Sequence, residues 1–107
     1  MEIIVQKYGG TSVGSVAKIK KIALNIKKLK NKKTAPVIIV SAMAGETNKL
    51  IKLVNSISSL PNEREYDQII STGEKVSSSL LVMALNEINV KALSLDASKA
   101  NILTDNI

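Results

Sequence analysis

The stretch Ile3–Ser12, which reads IIVQKYGGTS, decides the fold of this chain. Its apolar, β-branched first half predicts a strand over residues 3 to 8, after which Gly9 and Gly10 allow a sharp turn. A helical pattern of apolar residues follows from Ser15 to about Lys30. Adjacent glycines expose successive amide groups, and this helix points the positive end of its dipole at the same space. The stretch therefore predicts an anion-binding loop, with a phosphate group as the expected ligand.

The glycine spacing is not that of a Walker A loop. Gly9 and Gly14 are correctly separated, but Ser15 and Val16 follow where Lys and Ser/Thr are required, and the chain has no G-x-G-x-x-G. Lys7 is the only cation that the sequence places near the glycines. We expect it to neutralise a phosphoryl group from one side while the amides hold it from the other. The alternatives are an ordinary lysine at a strand end and a plain tight turn.

Length and composition limit the chemistry. The 107 residues, 45% of them hydrophobic, suit a single domain with one core, which must be aliphatic because only 2% of the residues are aromatic. Without cysteine or histidine, disulfides, thiolate metal sites and histidine-dependent triads are excluded, and we expect no metal ligands. The amino terminus lacks a signal pattern, and no apolar run approaches the roughly 20 residues that span a bilayer. We expect a soluble, cytoplasmic protein that does not bind a membrane.

The net charge of +6 comes largely from one helix. Its apolar residues repeat at helical spacing and predict a buried stripe of Val16, Ile19, Ala23, Ile26 and Leu29. The lysines of this region then lie on the outer face and at the carboxyl end: Lys18, Lys20, Lys21, Lys27, Lys28, Lys30, Lys32 and Lys33. No arginine or aromatic residue accompanies them, so a solvated helix face is favoured over sequence-specific nucleic-acid binding.

Further elements follow in regular order. The polar residues 31 to 36 predict a turn ended by Pro36, and Val37–Val40 predicts a short buried strand. After the loop Ser41–Gly45, the apolar residues Leu50, Leu53, Val54 and Ile57 predict one face of a second helix. Another helix is predicted over residues 65 to 88 and ends at Asn89. Its apolar residues are Ile69, Ile70, Val76, Leu80, Ala84 and Ile88, and Gly73 is expected to break or kink it.

Val90–Leu95 alternates as a strand does, and Ile102–Thr104 is expected to begin another. The order of elements predicts an α/β fold, a mainly parallel sheet sandwiched by helices. The loops after the first two strands should lie side by side at the carboxyl edge of the sheet, which is the candidate site.

Three segments together resemble a known family. They are VQKYGGTSVGS at residues 5 to 15, VSAMAGETN at residues 40 to 48 and STGEKVS at residues 71 to 77. In this order they closely resemble the amino-terminal part of the catalytic domain of the aspartate kinases, which belong to the amino acid kinase family. Many of those kinases have glycine where this chain has Ala44, a change that should be tolerated unless the position requires a positive φ.

The resemblance implies a reaction and its site. The side-chain carboxylate of L-aspartate would attack the γ-phosphorus of ATP bound with Mg²⁺, the first step towards lysine, threonine and methionine. Lys7 would bind the transferring phosphoryl group, which Gly9, Gly10, Thr11 and Ser12 would cradle. Ser41 and Thr47 would hold the amino acid, and Glu74 would contact its α-ammonium. Such an enzyme needs no general base, because a carboxylate is already ionised at pH 7.

Simpler roles remain open for the last three residues. Ser41 could terminate a strand, Thr47 could cap a helix that begins at Asn48, and Glu74 could be an acid at a helix start. The resemblance also implies that residues 1 to 107 are the amino-terminal portion of one incomplete catalytic domain, inactive alone and part of a homo-oligomer. The alternative is a non-catalytic domain that keeps the fold and assembles with another chain.

Overall fold

The computed structural model describes residues 1–95 of the chain. Five elements follow one another: β1 (Glu2–Tyr8), α1 (Val16–Leu29), β2 (Thr34–Val40), α2 (Glu46–Ile57) and α3 (Glu63–Glu87). β1 and β2 form a parallel two-stranded sheet in which Val5 pairs with Val37 and Tyr8 with Val40. The predicted α/β class and parallel pairing are confirmed. The predicted strand over 102 to 104 lies outside the described residues.

The core lies between α1, α3 and one face of the sheet. The buried residues of α1 are Ile19, Ile22, Ala23 and Ile26, and Leu81 and Leu85 of α3 face them. Of the stripe predicted for α1, Val16 is exposed because it is the first residue of the helix. The lysines of this helix are exposed, as predicted.

Within residues 1–95, the second face of the sheet has no helical layer. Ile3 and Val5 are 67% and 60% exposed, and their neighbours Val37 and Ile39 on β2 are about half exposed. Side chains of a strand alternate between the two faces, so these four residues share the face opposite to Tyr8, which packs against the core. In the described part of the chain, helices therefore cover one of the two faces of the sheet that the predicted sandwich would cover.

Pro36 lies inside a strand, so the prediction of a turn over residues 31 to 36 is wrong at its end. β2 begins at Thr34, and Pro36 pairs with Ile4. The amide of Ser41 donates to the carbonyl of Tyr8, so amides of odd-numbered residues point towards β1 along this strand. The nitrogen of Pro36 therefore faces the outer edge, where no hydrogen bond of the ladder is lost.

α3 differs from its prediction in two ways. It is continuous from Glu63 to Glu87, with no break at Gly73, and its buried residues are Gly73, Ser77, Leu81 and Leu85. The predicted apolar residues Ile69 and Val76 are exposed instead. The buried stripe begins with two small residues, and the first of them, Gly73, lies directly against Ala42. Such a stripe is defined by size, which a hydropathy pattern does not detect.

The end of α3 confirms the role of Asn89. This residue has φ 64°, its amide donates to Asn86, and the amide of Val90 donates to Leu85. These two bonds form a Schellman motif, which ends a helix. The prediction of a strand over Val90–Leu95 is wrong, because these residues pair with neither β1 nor β2. Lys27 Nζ donates to the Ile88 carbonyl at 2.9 Å, so one lysine of the basic helix stabilises the carboxyl end of α3.

Candidate functional site

The loops that follow β1 and β2 lie side by side at the carboxyl edge of the sheet, as predicted. The amide of Ser41 donates to the carbonyl of Tyr8 at 3.1 Å, which extends the pairing of the two strands into the second loop. The amide of Ala44 then donates to the carbonyl of Gly10, also at 3.1 Å. The two glycine-containing loops are therefore joined directly through their backbones.

The first loop, residues 9 to 15, leaves part of its backbone available to a ligand. The amides of Ser12 and Val13 both donate to the Gly9 carbonyl, and the amide of Gly14 donates to the Thr11 carbonyl. Within residues 1–95, the amides of Gly9, Gly10 and Thr11 donate to no backbone carbonyl in the loop. These three consecutive amides are the donors that an anion could use.

α1 begins where this loop ends. Ser15 is the N-cap, and its Oγ accepts a hydrogen bond from the amide of Lys18. The Nζ of Lys18 also donates to the Thr11 carbonyl at 3.0 Å, so a second cation lies at the loop. The prediction that Lys7 is the only nearby cation is wrong. Lys18 was missed because the hydropathy pattern placed it on the outer face of the helix, although its place one turn after the cap was the available signal.

Lys7 is exposed and pairs with Ile39 one residue before the end of each strand. Its neighbour Tyr8 faces the core, so Lys7 projects from the opposite face of the sheet. The Tyr8 hydroxyl donates to Gln6 Oε1 at 2.8 Å, which fixes that ring away from the lysine. Within residues 1–95, Lys7 thus makes no ion pair, and it lies at the edge where the glycine loop begins.

The second loop, residues 41 to 45, ends at a residue in the left-handed region. Gly45 has φ +86° and is the N-cap of α2. Among the described residues only Asn89 has a positive φ without being glycine, so Ala44 does not need one. The condition for tolerating Ala44 is therefore met.

We expect Gly45→Ala to destabilise the chain by about 1–2 kcal/mol, because a Cβ is strained at this φ even though no atom lies within 4 Å of it. Urea unfolding of residues 1 to 107 measures the change. Gly9→Ala is the matched control, since Gly9 also has open space around it but no positive φ. Equal urea midpoints of unfolding for Gly45→Ala and Gly9→Ala would show that the positive φ of Gly45 causes no strain in alanine.

Thr47 does not cap α2, so that simpler role is excluded. The helix begins at Glu46, and Thr47 lies half-buried in its first turn. Glu46 carries the acidic charge of that turn and pairs with Lys49 at 3.3 Å, an exposed contact that adds little to stability. Ser41 is also half-buried, directly after the end of β2.

Glu74 is an exposed residue in the middle of α3, which begins at Glu63 with Asn62 as its N-cap. The role of an acid at a helix start is therefore excluded, because the effect of the dipole is confined to the first turn. Gly73, the residue before it, lies directly against Ala42 of the second loop. The structure thus brings the third sequence segment to the same edge as the other two.

The arrangement offers partners for two kinds of group. A phosphate is suited by a helix amino terminus, two lysines and three amides that, within residues 1–95, donate to no carbonyl of the first loop. Two hydroxyls and a carboxylate suit the polar groups of an amino acid. No group of three acidic residues among residues 1–95 could hold a metal ion. Nor is any helix in this part of the chain sufficiently long and apolar to cross a membrane.

Comparison with known proteins extends these observations. The model of the amino acid kinase family matches residues 2–107. The chain is 50% identical to an aspartate kinase of Pseudomonas fluorescens (strain SBW25) over 107 residues, which cover 98% of this chain. This chain is also 50% identical to an aspartokinase of Rickettsia felis, over 109 residues that cover 99% of this chain.

A solved structure agrees with the fold. The crystal structure of aspartate kinase from Synechocystis superposes with a TM-score of 0.83 and 47% sequence identity, covering 87% of this chain and 16% of that one. The chain spans only 26% of the length of the Pseudomonas relative and 27% of the Rickettsia one. Because the family model covers almost every residue, this chain belongs to the amino acid kinase family.

Proposed function

We propose that this chain is the amino-terminal portion of an aspartate kinase catalytic domain. The complete enzyme would transfer the γ-phosphoryl group of ATP to the side-chain carboxylate of L-aspartate, giving 4-phospho-L-aspartate and ADP. One observation carries the proposal: Gly10, Ala42 and Gly73, one from each of the three sequence segments, meet at the edge of the sheet. The relatives that match the whole chain bear the name of this enzyme.

Positioning and charge would supply the catalysis. The attacking carboxylate is ionised at neutral pH, so no residue has to remove a proton. Lys7 would face the charge that develops on the transferring phosphoryl group, and the amides of Gly9 and Gly10 with Thr11 and Ser12 would hold its oxygens. Mg²⁺ would arrive bound to ATP, held mainly by phosphate oxygens and water.

The amino acid would lie between the second loop and α3. Ser41 and Thr47 offer hydroxyl groups to its carboxylates, and Glu74 offers an anion to its α-ammonium. Both hydroxyl residues are half-buried and Glu74 is exposed, so all three remain accessible to a small molecule. In this proposal the enzyme acts in the cytoplasm as a homo-oligomer and supplies the pathway to lysine, threonine and methionine.

An assembly domain without catalysis is the second candidate. Nothing within residues 1–95 covers the apolar face of Ile3, Val5, Val37 and Ile39, which supports this candidate because parallel sheets are normally buried on both faces. A kinase needs such a face covered as well, so the face alone does not separate the candidates. A measurement of aspartate turnover separates the kinase from the assembly domain.

The test uses residues 1–107 followed by the part of the Pseudomonas fluorescens relative that lies beyond the match, hereafter the joined enzyme. We expect ADP release that depends on aspartate, at a rate on the order of 1–100 per second. The unmodified relative is the control for the assay. A joined enzyme that melts cooperatively but releases no ADP with aspartate would favour the assembly domain.

The isolated chain of 107 residues should release no more ADP with aspartate than without it. It matches about a quarter of the relatives' length and would lack the remaining nucleotide contacts. The same coupled assay on the purified chain checks this expectation. Turnover near that of the joined enzyme would show that the rest of the domain is dispensable.

A further inference from the structure

Ala42 of the second loop is buried, with only 7% of its surface exposed. A Cβ placed on Gly73 would lie 2.8 Å from the Cβ of Ala42, closer than two such atoms can approach. A Cβ placed on Gly10 would lie 3.0 Å from the Ala42 carbonyl oxygen. Ala42 is therefore held between two residues that leave it space only because they have no side chain.

Backbone conformation does not explain these two glycines. Among the described residues, Gly45 is the only glycine with a positive φ. Gly73 lies inside the continuous helix α3, where glycine is less favourable than any residue except proline. Close packing against Ala42 is the reason that the structure offers for its presence.

This contact adjoins each residue proposed to bind aspartate. Ser41 directly precedes Ala42, and Glu74 directly follows Gly73. Leu50 Cδ1 lies 3.9 Å from the position of a Cβ on Gly73, and Thr47 is one turn before Leu50 on the same side of α2. A change in the spacing at Ala42 would therefore move the hydroxyls and the carboxylate relative to each other.

We propose that Gly73 is a positioning residue that, through its contact with Ala42, sets the distance between Glu74 and the two hydroxyl residues, Ser41 and Thr47. Gly10 lies against the carbonyl oxygen of Ala42. The proposal rests on the proposed function, because it assigns the spacing to recognition of aspartate. Gly73 and Ala42 themselves are assigned no contact with either substrate.

Gly73→Ala in the joined enzyme tests it. The added methyl group should force α3 and the second loop apart and raise the KM for aspartate between about tenfold and a hundredfold, because Glu74 and the two hydroxyls could no longer bind the amino acid together. The KM for ATP should change less than about twofold, since the first loop makes its own internal hydrogen bonds. An unchanged KM for aspartate in a protein whose melting temperature shifts would show a merely structural role and overturn the proposal.

The double variant Gly73→Ala with Ala42→Gly is the more decisive test of the contact. It moves the methyl group from one side of the contact to the other, so the spacing should return and the KM for aspartate should recover to within about threefold of the original. Ala42→Gly alone removes the methyl group from the same contact, so it should raise that KM as well, but by less than Gly73→Ala does. A double variant no better than Gly73→Ala would contradict the proposal.

A second measurement separates this proposal from the proposed function. In the isolated chain labelled with ¹⁵N, Gly73→Ala should shift the amide signals of residues 41 to 45, and the double variant should restore them. Unmoved signals would overturn the contact itself. Restored signals together with a joined enzyme that does not use aspartate would retain the contact and refute both the proposed function and the role in recognition.

Discussion

Lys7→Ala in the joined enzyme should lower kcat by about a hundredfold or more and leave the KM for aspartate nearly unchanged. Lys7 projects from the end of β1, just before the first loop and away from the core. Its ammonium would act on charge that grows on the phosphoryl group during transfer. The loss should therefore appear in the chemical step and not in binding of the amino acid. Steady-state kinetics with aspartate and ATP varied separately measure it.

Lys28→Ala is the matched control for Lys7→Ala. Lys28 is an exposed lysine in the last turn of α1, away from the glycine loop, and its removal lowers the net charge equally. We expect its kinetics to equal those of the unmodified joined enzyme. A Lys7 variant with normal kcat and only a raised KM for aspartate would contradict the assignment of Lys7 to phosphoryl transfer.

Glu74→Gln should raise the KM for aspartate by about tenfold to a hundredfold and change kcat less. The substitution keeps the shape of the side chain and removes one charge-assisted hydrogen bond, which contributes about 1.5–3 kcal/mol. The structure sharpens this expectation, because Glu74 lies in the middle of α3 and cannot stabilise its start. Its loss should leave the melting temperature almost unchanged.

Glu63→Gln supplies the contrast on the same helix. Glu63 is an acidic residue in the first turn of α3, so its neutralisation should cost about 0.3–1 kcal/mol of stability and leave aspartate kinetics alone. Thermal melts and aspartate titrations of both variants should therefore show a raised KM for aspartate in Glu74→Gln and a lowered stability in Glu63→Gln. A Glu74 variant that behaves like the Glu63 variant would defeat its role in recognition.

Local patterns predicted most elements because their causes are local. The strand over residues 3 to 8, the helix after Ser15 and the end at Asn89 depend on apolar period, an N-cap and a residue that tolerates a positive φ. The failures depend on partners distant in sequence. Pro36 is accommodated by the direction of its strand's amides, and Val90–Leu95 alternates correctly but has no strand beside it in residues 1–95.

The sequence predicted that the two glycine loops lie together, but it did not predict the packing around them. Sequence placed the two glycine loops together, and the bond from Ala44 to Gly10 confirms this. Gly73 was expected to kink α3 because glycine weakens helices. In the structure α3 is continuous, and Gly73 packs against Ala42, which lies far earlier in the chain. Lys18 was counted only as part of a solvated face, although its ammonium reaches the loop at Thr11. Distances between elements decided both cases.

Trapping of the product with hydroxylamine tests the central claim most directly. An acyl phosphate reacts with hydroxylamine to give a hydroxamate, so the joined enzyme with aspartate and ATP should form the hydroxamate of the aspartate side chain. Its amount should match the ADP released, and Lys7→Ala should lower both together. ADP released without this hydroxamate would show that phosphate passes to water or another acceptor, and would contradict the claim that these residues serve phosphoryl transfer to aspartate.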